Sequence, residues 1–263
     1  MHFLGIDIGS LSCDAVVIDR NGAILSSTVV PTGARNREAI DRALKEVLDA
    51  VSLTEKDIQA TVSTGYGRDR VERRLTAVTE ITCHARGARA LLPETRVLID
   101  IGGQDSKAIL LDDEGRVVEF AMNDKCAAGT GRFLEAMSRA LEVDIERLSE
   151  LDRGATGHLS LSSMCTVFAE SEVVSLIAEG AEVNEIVSGL NRAIASRIQT
   201  MVKRIAPDLT GLAVSMSGGV AHNAGVVRAL TQTLGCEIAV PMKPDTVGAL
   251  GAARIARDRS QTG

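Results

Sequence analysis

Apolar residues along this chain switch between strand spacing and helix spacing. Residues 6–22 (IDIGSLSCDAVVIDRNG) and 99–115 (IDIGGQDSKAILLDDEG) follow one pattern. Each has an apolar run ending in Asp-Ile-Gly, a short polar loop, and a second apolar run that reaches an Asp before a Gly turn. The two stretches align without a gap, and 7 of their 17 positions are identical. The pattern predicts strand, loop, strand and hairpin turn, written twice. Helical spacing follows the first copy, where Ile40, Ala43, Leu44, Val47, Leu48 and Val51 predict an amphipathic helix over 36–52. Further helices are expected over 81–91, 131–142, 169–179, 184–205, 223–234 and 247–257. Short apolar runs at 60–63 and 212–216 read as strands, and Thr54 with Asp57 has the spacing of a capping box. Strands alternating with helices predict an α/β architecture.

The duplication predicts two lobes with a boundary at Pro93. The small residues of 245–253 are spaced for a helix packed tightly on the first lobe. The expected lobes are therefore 1–93 plus about 241–263, and 94–240.

Gly9 and Gly102 let backbone amides approach an anion that a Cβ would obstruct. Two such loops, 9–12 and 102–105, are placed to clamp one polyphosphate. Asp7 and Asp100, at the strand ends, are candidates to hold Mg²⁺ directly or through its waters. Two ordinary hairpins with Gly at their turns are the plain alternative. A third opening of the same kind is Ser217-Gly218-Gly219, between a strand and a helix start.

Composition narrows the function. The 263 residues are 45% hydrophobic and 24% charged, as in an ordinary globular protein. A net charge of −6, one Tyr, four Phe and no Trp give neither a basic footprint nor stacking platforms for nucleic acid. Residues 1–13 lack the basic and apolar regions of a secretory leader, and no apolar run nears the roughly eighteen residues of a membrane span. A cytoplasmic protein that binds neither nucleic acid nor membrane is expected. The odd number of cysteines, at 13, 83, 126, 165 and 236, argues against a disulfide framework.

No Cys-x-x-Cys pair exists, so no single loop supplies a cubane cluster. Cys126 precedes a Gly-rich turn and then a helix, and Cys165 precedes the helical stretch VFAESEVVSLI. Both thiolates would sit near helix N-termini, which favour negative charge. Two per subunit make half a cluster, and a symmetric dimer would supply four. Burial in the core is the competing reading for any lone cysteine; Cys13 and Cys236 are assigned to packing, and the helical context of Cys83 favours burial over ligation. His84 and His222 lack the cysteine company of a zinc site.

Three segments resemble the nucleotide loops of the actin, sugar kinase and Hsp70 superfamily: Asp7-Ile8-Gly9-Ser10, Asp100-Ile101-Gly102-Gly103-Gln104-Asp105, and Ser217-Gly218-Gly219-Val220-Ala221-His222-Asn223. The resemblance implies two duplicated ribonuclease H-like lobes with ATP in the cleft between them. Phosphates would lie between Gly9, Ser10, Leu11, Ser12 and Gly102, Gly103, Gln104. Adenosine would lie by Gly218, Gly219, Val220, Ala221 and Asn223, with Gly248 nearby. Asp7 and Asp100 would position Mg²⁺, and Gln104 or Asp105 would orient the attacking water.

A narrower resemblance rests on residues 122–135 (MNDKCAAGTGRFLE) and 162–172 (SSMCTVFAESE), and extends to 64–68 and 83–85. These are similar to the 2-hydroxyacyl-CoA dehydratase activators, the family that also holds the ATPase subunits of benzoyl-CoA reductase. That resemblance implies a homodimer sharing one oxygen-sensitive 4Fe-4S cluster, held by Cys126 and Cys165 of each subunit. ATP binding and hydrolysis would reshape the dimer so that an electron, received from a ferredoxin or flavodoxin, passes to a partner dehydratase or reductase. Asp14 departs from the family pattern, which has Lys or Thr there, while Lys107 holds the matching place in the second copy. Either Asp14 points out of the cleft, the reading favoured here, or the phosphate contacts differ. Readings from other classes are a small-molecule kinase, N-acetylhexosamine-like, with Asp105 as base, and a regulatory ATP-binding module without a cluster.

Overall fold

The duplicated motif folds twice into the same hydrogen-bonded pattern. The structure is a computed structural model that describes residues 1–123, 128–157, 159–161 and 165–261. In the first copy β1 (His2–Ile8), β2 (Ser12–Asp19) and β3 (Ile24–Pro31) form an antiparallel meander. The helix α1 (Asn36–Asp49) follows, and β4 (Ile58–Thr64) returns parallel to β1 with the short β5 (Thr76–Ala77) beside it. After α2 (Glu80–Leu91) the second copy repeats the meander as β6 (Thr95–Ile101), β7 (Ser106–Leu111) and β8 (Val117–Asn123). Helices α3 (Gly131–Ala140), α4 (Leu148–Leu151), α5 (Thr166–Ala178) and α6 (Val183–Ile205) precede β9 (Ala213–Ser217), which pairs parallel to β6. The chain closes with α7 (Ala224–Leu234), β10 (Ile238–Ala239) and α8 (Val247–Gln261). The two sheets run β3-β2-β1-β4-β5 and β10-β9-β6-β7-β8.

The third strand of each meander, β3 and β8, escaped the sequence pattern. Both expose much of their length because each packs through one face only, so neither carries a continuous apolar run. The Thr54–Asp57 capping box is present, yet it opens a single 3₁₀ turn (Glu55–Asp57) before β4.

Each sheet is covered on both faces, and the covering helices on the inner side are exchanged. α1 buries Ala39, Ile40, Ala43, Val47 and Leu48 against one face of the first sheet, while α8 lies across β1, β2 and β4 on the other. α6 and its neighbours cover the outer face of the second sheet, whose inner face meets Ala85 and Ala88 of α2. α2 and α8 cross backbone to backbone. A Cβ on Gly87 would strike the Val247 carbonyl, and one on Gly251 would strike the Cys83 carbonyl. This close crossing brings the first turn of α2 between the C-terminal ends of β1 and β6, where the sheets converge.

Candidate functional site

β1 and β6 end in Asp7 and Asp100 at the floor of a cavity of about 670 Å³. Each is followed by a loop closed by the same bond: Gly9 N donates to Ser12 O at 2.9 Å, and Gly102 N donates to Asp105 O at 3.0 Å. The neighbouring strands β4 and β9 also end alike. Gly65 (φ +87°) and Gly218 (φ +85°) turn the chain in the left-handed region, each so close to the backbone carbonyl that follows the adjoining Asp, Ile8 O and Ile101 O, that a Cβ would collide. On the far wall Asn223 caps α7, its Oδ1 accepting from Gly225 N at 2.9 Å and Val226 N at 3.3 Å. Its Nδ2 is buried without a hydrogen-bond partner, a donor left over for a ligand.

The cavity is lined by Asp7, Gly9, Ser10, Leu11, Ser12, Asp100, Gly102, Gly103, Gln104, Asp105, Gly218, Gly219, Val220 and Asn223, which brings together most of the residues singled out from sequence. Ala221 and Gly248 do not line it. Ala221 is buried beneath the short turn at Gly219–His222, and Gly248 lies behind the floor, where a Cβ would strike Asp7 and His84. Cys126 falls outside the described residues, and Cys165 is exposed at the N-cap of α5. Cys13 and Cys83 are buried, and burial, followed for Cys13 by Asp14, pushes both thiols up, Cys83 to about 12.

What the sequence reading missed is the charge that joins the two Asp residues. His84, just past the first turn of α2, lies between them, Nδ1 at 3.1 Å from Asp100 Oδ1 and Nε2 at 3.4 Å from Asp7 Oδ2. Burial opposes a charge on the ring, but Asp100 and then Asp7 outweigh it and raise the imidazole to about 10, which favours the charged ring between the two carboxylates. Ser217 Oγ donates to Asp100 Oδ1 at 2.8 Å, and Lys107 Nζ reaches Asp100 Oδ2 at 3.2 Å, Asp105 Oδ2 at 2.7 Å and Glu80 Oε2 at 2.9 Å. Burial alone would raise the Asp100 carboxyl, yet His84 and Lys107 hold it well below the usual carboxylate range. The available signal was spacing: His84-x-x-Gly87 in α2 and Gly248-x-x-Gly251 in α8 mark equivalent turns of the two crossing helices.

The sequence profile of the BadF/BadG/BcrA/BcrD ATPase family matches residues 4–256. The chain belongs to this family. An activator of lactoyl-CoA dehydratase from Anaerotignum propionicum is 46% identical over 99% of this chain and 99% of its own length. A solved structure of the activator of the 2-hydroxyisocaproyl-CoA dehydratase from Clostridium difficile, with bound ADPNP, superposes with a TM-score of 0.93 at 42% identity, covering 100% of this chain and 96% of that one. A ROK family glucokinase from Streptomyces griseus, at 16% identity and TM-score 0.61 over 98% of this chain and 100% of its own, shares the fold alone. The architecture is thus the actin/sugar kinase type, and the kinase reading has no support beyond it.

For an ATPase of this family the charge lining the cleft is informative. Eight carboxylates line the cavity, against one Lys and two His and no Arg among the described residues, and Lys107 is already engaged by three acids. A polyphosphate brought into such a cleft needs a divalent counter-ion, and in that sense the residues fit Mg²⁺. Asp100 is less available than Asp7 as a direct ligand, because His84 and Ser217 occupy its Oδ1 and Lys107 already reaches its Oδ2. Asp14 corrects the expectation that it faces away. It is buried and lines the cavity, and burial followed by Asp7 and Asp245 raises its carboxyl well above the ordinary range. β2 alternates its side chains between two faces, and the register that pairs Asp14 with Asp7 puts both on the cleft side. Cys165 fits an iron–sulfur ligand, being an exposed thiol at a helix N-terminus with exposed Val167 and Phe168 beside it.

Proposed function

We propose that this chain is an ATP-driven, one-electron activator of a 2-hydroxyacyl-CoA dehydratase, working as a homodimer. The observation that carries the reading is a physical link from the second phosphate loop to the cysteine segment. Gly131 N and Arg132 N donate to Gly102 O and Gly103 O, each at 2.9 Å, and Thr130 Oγ1 donates to Gly103 O at 2.9 Å. The start of α3 is therefore held by the loop that faces the phosphates, and Cys126 lies a few residues upstream of Thr130.

In this reading the moving bodies are residues 1–93 plus about 241–263, and 94–240. Amides of the loops at Gly9 and Gly102 hold the phosphates from either side, and Asn223 Nδ2 with the Gly218–Gly219 turn meets the nucleoside. Asp105, oriented by Lys107, aligns the attacking water, with Gln104 at the rim. Mg²⁺ would neutralise the phosphate charge. Loss of the terminal phosphate changes how far the loops are drawn together, and the 102–103 loop carries α3 with it. A 4Fe-4S cluster, when bound by Cys126 and Cys165 of two subunits, supplies a site that accepts one electron from a ferredoxin or flavodoxin and gives one to the dehydratase. The exposed apolar side chains of α5, Val167, Phe168, Val174 and Ile177, support a dimer seam beside Cys165.

Anaerobic purification tests the reading. The expected protein is brown, dimeric, hydrolyses ATP and holds about four iron per dimer, and either Cys126→Ala or Cys165→Ala empties it of iron while leaving nucleotide binding intact. An iron-free protein that phosphorylates a sugar would overturn it.

A further inference from the structure

The two copies place opposite chemistry at one register position. Across β6 and β7 Asp100 pairs with Lys107; across β1 and β2, at the equivalent position, Asp7 pairs with Asp14. Lys107 supplies positive charge to Asp105 and Asp100 of its own lobe, at 2.7 and 3.2 Å, and reaches Glu80 of α2 at 2.9 Å. In the first lobe His84 is the one ion-pair partner of Asp7 among the described residues, and no ion pair reaches Asp14 among them. Asp14 is 5% exposed and lines the cavity, and its Oδ2 accepts from Ser12 Oγ at 3.1 Å. Its Oδ1 is buried with no hydrogen-bond partner. A buried carboxylate oxygen left unpaired beside a second carboxylate is costly unless a proton or a cation meets it.

We propose that Asp7 and Asp14 together bind one divalent cation of the Mg²⁺ class, which supplies to the first lobe the positive charge that Lys107 supplies to the second. Cross-strand neighbours hold their Cβ atoms about 4.5–5.5 Å apart, so the two carboxylates, on one face, would be within reach of a single ion. The donor set is all oxygen, which selects hard cations such as Mg²⁺ or Mn²⁺ over zinc or copper. The orphaned Oδ1 of Asp14 is the open ligand, and the His84 and Lys107 cations that already neutralise Asp100 leave the first lobe the more in need of an ion. The proposal deepens the ATPase reading and rests on it for the use of the cleft, but the ion site is defined without nucleotide.

Equilibrium dialysis of Mn²⁺ against the anaerobically purified, chelator-treated, nucleotide-free protein is the test. The wild type is expected to take up one Mn²⁺ per chain, with affinity falling at least about ten-fold in Asp14→Asn. In a second arm Mg²⁺ strengthens ADP binding to the wild type, whereas Asp14→Lys binds ADP independently of Mg²⁺. Equal Mn²⁺ affinity in the wild type and Asp14→Asn overturns the proposal and leaves a proton as the group that neutralises Asp14. Absence of Mn²⁺ uptake by the wild type overturns it equally. An intact Asp14-dependent Mn²⁺ site in a protein that fails to bind ADP would sustain the site and sink the nucleotide reading.

Discussion

The floors of the two lobes share a backbone and differ in charge. Each has a strand ending in Asp, a loop closed by the same amide-to-carbonyl bond, and a neighbouring strand ending in a left-handed Gly. On this common frame the second lobe holds Asp100 and Asp105 on Lys107, a network closed by Glu80 from α2, whereas the first holds two facing carboxylates, Asp7 and Asp14. His84 stands between them and belongs to neither sheet. The difference teaches that duplication conserved the geometry that grips a phosphate, and left the side chain opposite each Asp free to specialise.

The sharpest way to break the second lobe's half of this comparison is Lys107→Met. It leaves Asp100, Asp105 and Glu80 without their shared cation, and the expected loss is about 3–5 kcal/mol in urea unfolding at neutral pH. What the lobes share is probed by Gly251→Val at the helix crossing. The new side chain meets the Cys83 backbone, which cannot yield as a flexible side chain would, and about 3 kcal/mol should be lost by the same measurement.

His84 offers a test by pH. Its folded value of about 10 lies above the ordinary 6.5, so its contribution to stability is fully present below pH 6.5 and is lost as pH rises towards 10. Unfolding midpoints of the chelator-treated wild type should fall over that window, and His84→Gln should flatten the slope; equal slopes would show that the ring carries no charge between the lobes. The smallest effect is expected at Asp14. Its raised carboxyl means that ionisation at neutral pH opposes folding, so Asp14→Asn should stabilise the ion-free protein by about 1 kcal/mol. For a chain of this size that is about 2–4 °C in Tm.

Much of this arrangement was legible in the chain itself. The repeated Asp-Ile-Gly runs, the polar loops after them and the double Gly at 218–219 marked three walls of the cavity, because strand ends and phosphate-sized turns are local features with local residue requirements. The edge strands β3 and β8 were not legible, since half-exposed strands lack a continuous apolar run. Gly248 was marked as small and close to the nucleotide; it proved small because Asp7 and His84 lie behind it. Asp14 was expected outside the cleft on grounds of repulsion, yet its pairing with Asp7 across β1 and β2 puts it on the cleft side.

By itself, then, the sequence determined the α/β strand-and-helix order, the duplicated phosphate loops and the cysteines available for a redox centre, all of which follow from spacing along one stretch of chain. Tertiary structure alone decided that α2 and α8 cross on paired glycines, that His84 is thereby set between carboxylates 77 positions before it and 16 after it, and that Asp14 turns towards Asp7. Those outcomes depend on which faces two helices and two sheets bury against one another, and that choice is made over the whole molecule.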